Sequence, residues 1–145
     1  MENILIRKAT SEDYRSVIEL YGLFVENPEI YSKFDNDSYN DVINDQNTIL
    51  ELGIVNDKIV AFIMYSIRNV VRYPKPIIEV EEFFVLEDYR RMKIGKTLMD
   101  RVFDFAKQKD CQYVFLASGK ERIPAHKFYK NSGFDEYAFH YRKSI

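Results

Sequence analysis

Between Glu79 and Met99 the chain changes from the pattern of a strand to the pattern of a helix across one short basic turn. Residues 77–86 form a mixed apolar and acidic run that is typical of a strand. From residue 94 the apolar side chains recur at the spacing of one helix face. This stripe consists of Ile94, Leu98, Val102, Phe105 and Ala106. A strand that leads through a tight turn into a helix predicts a sheet with helices packed on its faces.

The remaining elements complete one α/β domain with a mixed sheet flanked by helices. In chain order they are a strand at residues 4–8, a helix that starts at a cap at Thr10 and runs to about Val25, a weaker helix in the latter half of residues 29–45, strands at 48–55 and 59–67, a buried strand at 113–117, a helix from Pro124 to Gly133 and a final strand at 134–142. With the segment described above, the predicted order is β-α-α-β-β-β-α-β-α-β. No internal repeat or linker interrupts the chain, so residues 1–145 are predicted to form a single domain.

The charge and cysteine content exclude several classes of protein. The 145 residues contain 21 Lys and Arg against 23 Asp and Glu, and this net charge of −2 lacks the basic excess of a nucleic-acid-binding domain. One cysteine and two histidines do not provide a metal site of the zinc type. Neither a basic, apolar leader nor a run of about 20 apolar residues is present, so membrane insertion is not expected. We therefore expect a cytoplasmic protein without a bound metal.

The turn before the helix at residue 94 combines amide donors with positive charge. The first amide groups of a helix have no intrahelical acceptor and point beyond its N-terminus, where a phosphate group binds well. Arg90, Arg91, Lys93 and Lys96 place four positive charges around that point. The turn is therefore either a phosphate or pyrophosphate site or a solvated basic edge, and the residues alone leave both readings open.

Three stretches of the chain resemble the GNAT acetyltransferase superfamily, in the order and at the spacing of that family. The basic turn resembles the acyl-CoA-binding signature Gln/Arg-x-x-Gly-x-Gly/Ala and consists of Arg90, Arg91, Met92, Lys93, Ile94 and Gly95. The other two stretches are the run from Ala125 to Phe134 and the residues Phe83, Phe84 and Val85. The resemblance implies an acetyl-CoA-dependent N-acetyltransferase with a mostly antiparallel, splayed central sheet. It also implies that the signature, Lys96 and residues 83–85 bind acetyl-CoA.

The chain departs from the family pattern at two positions. Lys93 replaces the first glycine of the signature, and we expect it to keep an allowed helical-entry conformation with its side chain turned outward. Its ammonium group is a candidate for an extra phosphate contact. Arg122 stands seven residues before Tyr129, where a common family pattern has Asn, and an arginine there suits a cofactor phosphate. Both positions are therefore assigned to the acetyl-CoA site.

The resemblance also implies how the acetyl group is activated. The strand that contains Val85 splays away from the strand at 113–117, so that the pantetheine arm pairs with its exposed backbone. A backbone N–H near Val85 then polarises the thioester carbonyl. Tyr129 takes the position of the general acid that protonates the departing thiolate. Its alternative role is that of an amphipathic tyrosine in the core.

The acidic side chains of the strand at 77–86 are candidates for the base that deprotonates the amine. Strand alternation places Glu79 and Glu81 on one face with Phe83, and Glu82 on the other face. Glu81 resembles the base of polyamine-type family members, whereas Glu79 resembles that of histone-type members, and we prefer Glu81. The alternative is a polar strand face without a catalytic role.

The predicted acceptor is the primary amine of a small molecule, which attacks acetyl-CoA directly in a ternary complex. Residues 26–45 contain six acids, one lysine and three aromatic residues, which suit a cationic acceptor or else form a solvated helix face. Acetylation of a protein N-terminus or lysine and a non-catalytic acyl-CoA-binding module are the alternatives. The C-terminal aromatic residues suit either the surface of a homodimer or the core, and they are Phe134, Tyr137, Phe139 and Tyr141.

Overall fold

The computed structural model describes residues 2–25 and 34–145. The strands are β1 (Ile4–Lys8), β2 (Thr48–Val55), β3 (Lys58–Arg68), β4 (Ile77–Val85) and β5 (Tyr113–Leu116). The helices are α1 (Tyr14–Phe24), α2 (Asn36–Asn44), α3 (Ile94–Gln108) and α4 (Ile123–Asn131). The chain forms two compact units, Met1–Phe115 and Leu116–Ile145. That both units make one domain stays a prediction.

The five strands form one sheet in the order β1-β2-β3-β4-β5. Each neighbouring pair from β1 to β4 is antiparallel. The β2–β3 hairpin turns at Asn56 and Asp57, whose φ angles of 47° and 66° are those of a two-residue hairpin turn. Gln112 N–H donates to the carbonyl oxygen of Pro76 at 2.7 Å, which joins the starts of β5 and β4. The mostly antiparallel, mixed sheet predicted from the sequence is thus confirmed.

Helices cover both faces of this sheet. On one face, here called the α1 face, helices α1 and α2 bury a cluster formed by Val17, Leu20, Tyr39, Leu52, Ile54 and Phe62. On the other face, the α3 face, Ile94 approaches Gly53 so closely that a Cβ at Gly53 would lie 2.8 Å from Ile94 Cγ2. The absence of a side chain at Gly53 therefore lets the start of α3 lie against β2.

A buried ion pair holds the middle of α3 on the sheet. Glu51 of β2 is only 3% exposed and accepts hydrogen bonds from Arg101 Nε at 2.6 Å and Arg101 Nη2 at 3.0 Å. A two-point contact between guanidinium and carboxylate restricts both distance and angle. The pair thereby orients the helix whose N-terminus forms the basic turn.

A second ion pair ties β1 to the start of α1. The Asp13 carboxylate accepts hydrogen bonds from Arg7 Nη1 at 2.7 Å, Arg7 Nη2 at 2.9 Å and the Thr10 N–H at 2.8 Å. The hydrogen bond from Arg7 lowers the pKa of Asp13 below its usual value, with burial acting in the opposite direction and Thr10 adding to the decrease. The acidic helix start predicted at Thr10 is therefore also a link to the sheet.

Asp13→Asn is expected to lower the free energy of unfolding by roughly 1–3 kcal/mol at neutral pH, because it removes a charged hydrogen-bond acceptor. The pKa of Asp13 in the folded chain lies below the value of about 3.9 in the unfolded chain. The stabilisation is thus present above that unfolded value and is lost as the pH falls through the folded pKa. Urea unfolding at about pH 7 and about pH 3 should show the wild type and the variant converging at the lower pH. A difference that does not change with pH would contradict this role.

The predicted strand at 134–142 is wrong. No regular strand follows Gly133 in the described chain, and residues 135–145 are all exposed. Alternating aromatic side chains favour a strand, but a strand forms only where a neighbouring strand accepts its hydrogen bonds.

None of the described helices is long and apolar enough to cross a bilayer. Among the described residues no cluster of His, Cys, Asp and Glu could hold a metal ion.

Candidate active site

A β-bulge in β4 determines which acidic side chains share a face. Met64 of β3 lies opposite Glu82, whereas the next residue, Tyr65, lies opposite Val80. Glu81 is therefore the extra residue of the bulge. A bulge shifts the alternation of the strand by one residue, and every side chain beyond it changes face.

The face assignment made from simple alternation is consequently wrong. Glu79 lies opposite Ser66, and Glu82 lies opposite Met64, so both are on the α1 face. Glu81 is exposed and accepts a hydrogen bond from the Ser66 hydroxyl at 3.1 Å. Phe83 follows the bulge and lies on the α3 face, away from these acids. The structure thus brings three carboxylates to one face, and Glu82 is the one turned toward the core.

Glu82 lies in the wall of a small cavity between α1, α2 and the sheet. The cavity has a volume of about 100 Å³. Aromatic rings form much of its lining and belong to Tyr21, Phe34, Tyr39 and Phe62. Of the described residues that line the cavity, Glu82 is the only one with an ionisable carboxyl group. A single carboxylate in an otherwise apolar and phenolic cavity suits a small cationic group.

The surroundings of Glu82 make it a stronger base than an exposed carboxylate. Burial raises the pKa of Glu82, the hydrogen bond from the Tyr21 hydroxyl acts in the opposite direction, and the charge of Glu81 raises it further. The Tyr21 ring stacks on Phe34 and Phe62 with centroid distances of 5.8 and 5.7 Å. The phenol is therefore held in place to donate to the carboxylate.

Sequence reasoning counted Glu82 among the candidate bases but did not select it, and it missed Tyr21. Tyr21 occupies a regular position of the apolar stripe of α1, and its hydroxyl gives no signal in that pattern. Glu82 was placed on the opposite face because a bulge leaves no trace in the order of polar and apolar residues. The run of three acids within residues 79–82 was the available signal, since acids are uncommon on a strand that packs against helices.

The predicted acceptor segment is partly described. Phe34 and Tyr39 line the cavity. Asp35 instead caps α2 by accepting a hydrogen bond from Ser38 N–H at 2.8 Å. Asp45 accepts a hydrogen bond from Asn47 N–H at 2.7 Å. The residues that lie outside the described part of the chain are Glu26, Glu29, Tyr31 and Lys33.

The backbone of Val85 is directed away from β3. Leu86 N–H donates to the carbonyl oxygen of Val60 at 2.9 Å, and adjacent residues of an antiparallel strand direct their backbone groups to opposite edges. The Val85 N–H and C=O groups therefore point toward the β5 side of β4. Arg90 Nε donates to the Val85 carbonyl oxygen at 3.0 Å. Since β4 has nine residues and β5 has four, the C-terminal part of β4 extends beyond β5.

The basic turn supplies amide donors next to this backbone. A 3-10 turn, Glu87–Met92, leads through Lys93 into α3, and Thr97 N–H makes the first helical hydrogen bond, to Lys93 O at 3.0 Å. The amides of residues 94–96 therefore have no acceptor within the helix. Amide groups of this kind at a helix N-terminus are suited to bind an anion. The residues present thus fit the diphosphate of acetyl-CoA.

The predicted cations of this turn do not all have the same surroundings. Arg90 bonds to the β4 backbone and lies 5.9 Å from the Phe84 ring centroid. Lys96 Nζ pairs with Asp100 at 2.6 Å. Arg91 and Lys93 are exposed. Ile94 is buried, so that the turn offers its amide, and not its side chain, to a ligand. Met92 closes the 3-10 turn, and Gly95 lies in the first turn of α3.

The conformation expected for Lys93 is wrong, although its side chain is exposed as expected. Lys93 has φ 61° and ψ 16°, which is the left-handed region that glycine adopts without cost. A side chain in it costs roughly 1–2 kcal/mol relative to right-handed backbone.

Lys93→Gly is expected to raise the melting temperature by about 1–4 °C, because relief of the left-handed strain exceeds the entropy that glycine adds to the unfolded chain. Differential scanning calorimetry measures the change. Lys93→Ala is the matched control, since it removes the same charge and keeps a Cβ, and it should leave the melting temperature nearly unchanged. Equal melting temperatures for the two variants would contradict the left-handed assignment.

The second unit contains Tyr129 and Arg122. Tyr129 lies on α4 and contacts Phe128 and Phe134 with ring centroids 5.8 and 6.0 Å apart. Burial raises the pKa of Tyr129, and the positive charge of Arg122 acts in the opposite direction. The phenol is therefore protonated at neutral pH, as a general acid must be. The contacts of Tyr129 and Arg122 with acetyl-CoA stay predictions.

Comparisons with known proteins agree with this architecture. The aminoalkylphosphonate N-acetyltransferase of Salmonella typhimurium is 28% identical over 140 residues, which are 97% of this chain and 90% of that protein. A transcriptional regulator from Bacillus halodurans has the same fold, with a TM-score of 0.87, 18% identity and coverage of 99% and 100% of the two chains. An aminoglycoside 6'-N-acetyltransferase from Acinetobacter baumannii has a TM-score of 0.79 and 21% identity, and the match covers 99% of both chains.

The family comparison covers the elements that build the site. The model of the acetyltransferase (GNAT) family matches residues 9–134, which include the bulged strand, the basic turn and α4. The match therefore extends over the greater part of the chain and contains all three stretches that resemble the family in sequence. The chain belongs to the GNAT acetyltransferase family and is an acyltransferase.

Proposed function

We propose that the protein transfers the acetyl group of acetyl-CoA to the primary amine of a small molecule by direct attack in a ternary complex. The observation that carries the proposal is the half-buried carboxylate of Glu82 in the wall of an aromatic cavity of about 100 Å³. The relative that acetylates aminoalkylphosphonates supports the acceptor class. The acceptor therefore presents an aminoalkyl group to this cavity.

On the donor side, the amides at the start of α3 bind the diphosphate of acetyl-CoA, with Arg91 and Lys93 as exposed cations beside them. The pantetheine arm runs along the C-terminal part of β4, where the backbone faces away from β3. The Val85 N–H donates to the thioester oxygen and stabilises the negative charge that develops there. Arg90 holds the Val85 peptide through its carbonyl oxygen, at 3.0 Å.

On the acceptor side, the size of the cavity limits what enters it. The cavity is small, with a volume of about 100 Å³. A short alkylammonium arm fits this space, whereas a sugar ring stays outside it. The faces of Tyr21, Phe34 and Phe62 attract the cation, and Glu82 pairs with it.

The reaction then needs a base for the amine and an acid for the departing thiolate. An alkylammonium group has a pKa near about 10 and must lose a proton before it attacks. We assign this proton to Glu82, with Glu81 and Glu79 as the competing carboxylates on the same face. The neutral amine attacks the carbonyl carbon, the C–N bond forms and the C–S bond breaks. Tyr129 donates its proton to the departing thiolate, which leaves as free coenzyme A. The extra proton on the new amide nitrogen passes to water, and Tyr129 regains its proton from water after it has protonated the thiolate.

The experiment is a measurement of free thiol released from acetyl-CoA with a panel of amines. The panel contains aminoalkylphosphonates, polyamines, aminoglycosides, amino acids and peptides with a free N-terminus or lysine. We expect the highest kcat/KM for a small aminoalkyl compound. The highest value for a peptide would replace the proposal by protein acetylation. Calorimetric binding of acetyl-CoA without thiol release on any amine would replace it by a non-catalytic acyl-CoA-binding module.

A further inference from the structure

The floor of the cavity beside Glu82 is charged at one end and apolar at the other, because three neighbouring strands each contribute one residue to it. Met64 of β3 lies opposite Glu82 of β4 on one side and opposite Leu50 of β2 on the other. All three side chains line the cavity. Since neighbouring strands lie about 4.8 Å apart, Leu50 is roughly 10 Å from Glu82 along this row, with Met64 between them. The floor therefore runs from a carboxylate across a thioether to a branched alkyl group.

The two helices above this floor show the same division. Helix α1 packs over β3, and helix α2 packs over β2. Near β4, Tyr21 of α1 donates a hydrogen bond to the Glu82 carboxylate. Near β2, Val42 of α2 lines the cavity, and the hydroxyl of Tyr39 is engaged with the carbonyl oxygen of Thr10 at 2.6 Å. Of the described residues that line the cavity, none apart from Glu82 carries a charge at neutral pH.

We propose that Met64 determines which amines the enzyme accepts, because the apolar chain of the acceptor crosses it on the way from Glu82 to Leu50. This inference rests on the proposed function, which places the acceptor amine at Glu82. The Val85 N–H, assigned to the thioester oxygen, faces the β5 side of β4. The amine therefore meets the thioester from the β3 side, and the rest of the acceptor extends away from acetyl-CoA toward β2. The acceptors are primary monoamines with a short alkyl chain.

The apolar end of the cavity disfavours acceptors with a second charge. The second ammonium group of a diamine lies beside Leu50 and Val42 when its first is at Glu82, and a charge buried without a partner is costly. An alkyl chain has no such cost. The unbranched, flexible side chain of Met64 suits the middle of the floor, because methionine adapts to irregular apolar surfaces. Chain length is then limited by the distance from Glu82 to Leu50.

The first test compares kcat/KM, from thiol release, for n-propylamine, n-butylamine, n-hexylamine and the diamine that has the chain of n-butylamine. We expect the wild type to prefer n-butylamine to this diamine by at least about 10-fold. Met64→Ala enlarges the middle of the floor and should raise the ratio of n-hexylamine to n-butylamine at least about 10-fold. Leu50→Phe fills the far end and should lower the same ratio. Ile63→Val is the control, since Ile63 is buried on the α3 face of β3, and it should leave the ratio unchanged.

The second test needs no turnover and uses the NMR signals of isotope-labelled methionine methyl groups. The chain contains four methionines, and three of them report on different places. Met64 lines the cavity, Met92 closes the basic turn, and Met99 is 1% exposed in the core beneath α3. Titration with n-butylammonium chloride should move the Met64 signal and leave that of Met99 in place. Titration with acetyl-CoA should move the Met92 signal.

The outcomes separate this inference from the proposed function. The same order of amines in the wild type, Met64→Ala and Leu50→Phe overturns the role of Met64 while acetyl transfer itself stands. A diamine accepted as well as n-butylamine overturns the apolar end of the cavity. If no small amine is acetylated, the proposed function fails, and the Met64 signal decides whether the cavity takes an alkylammonium chain. A shift that grows with chain length supports this, and an unmoved Met64 signal overturns it.

Discussion

Replacing Glu82 by glutamine (Glu82→Gln) is expected to lower turnover by about 100- to 10,000-fold while acetyl-CoA binding stays nearly unchanged. The amide keeps the size of the carboxyl group and still accepts the hydrogen bond from Tyr21. It cannot accept a proton from the acceptor amine or balance its charge. Steady-state thiol release and calorimetric titration with acetyl-CoA separate the two effects.

The pH dependence of the wild type supplies an independent test of this role. A base works only when it is deprotonated, so activity is present above the pKa of Glu82 and falls as the pH drops through it. Burial raises this pKa, and the acidic limb should lie above the ordinary glutamate value of about 4.3. The hydrogen bond from Tyr21 lowers the pKa, so Tyr21→Phe should move the limb to higher pH. An unmoved limb would remove Tyr21 from the site.

Glu81→Gln and Glu79→Gln are the matched controls, because they make the same chemical change on the same face of β4. Glu81 is exposed and bonded to Ser66, so its replacement should lower turnover less than Glu82→Gln does. A larger loss in Glu81→Gln would instead establish the base that the resemblance favours and would leave Glu82 with a role in binding.

The periodic elements could be predicted from the sequence because burial acts on every residue of a helix face or a strand. The helix predicted from the Thr10 cap to about Val25 is found as a 3-10 turn at Ser11–Asp13 followed by the α-helix Tyr14–Phe24. The helix predicted from Ile94 to Ala106 is found at Ile94–Gln108. In both, the apolar stripe continues to the last turn. The positions of α3 and β4, and hence of the basic turn, follow from this pattern alone.

The features that the sequence did not reveal are those set by one backbone position. The bulge at Glu81 depends on how β4 pairs with β3, and it reverses the face of every residue beyond it. The left-handed backbone of Lys93 depends on the geometry of the turn, which tolerates a residue that local preference disfavours. The missing strand at 134–142 depends on a partner strand. For the bulge and for the missing strand, the deciding contact is distant in sequence.

Tyr129→Phe is expected to lower turnover by about 10- to 1000-fold and to leave the affinity for acetyl-CoA nearly intact, because the phenyl ring keeps its contacts but has no proton to donate. An acid works only while it is protonated, so the wild-type activity should fall as the pH rises through the pKa of Tyr129. Burial raises that pKa, which places the alkaline limb above the ordinary tyrosine value of about 10.

A control substitution at a second tyrosine isolates the contribution of the Tyr129 hydroxyl group to turnover. Tyr141→Phe removes the same atom from a side chain that is 87% exposed, and it should leave turnover unchanged. At high pH an acceptor amine of low pKa is already deprotonated, but the departing thiolate still has to be protonated. The loss of turnover in Tyr129→Phe should therefore persist under those conditions. Under those conditions Glu82→Gln should recover much of its activity, because the base is no longer needed. The two variants thus respond in opposite ways to the pKa of the acceptor, and equal recovery of both would exclude Tyr129 as the acid.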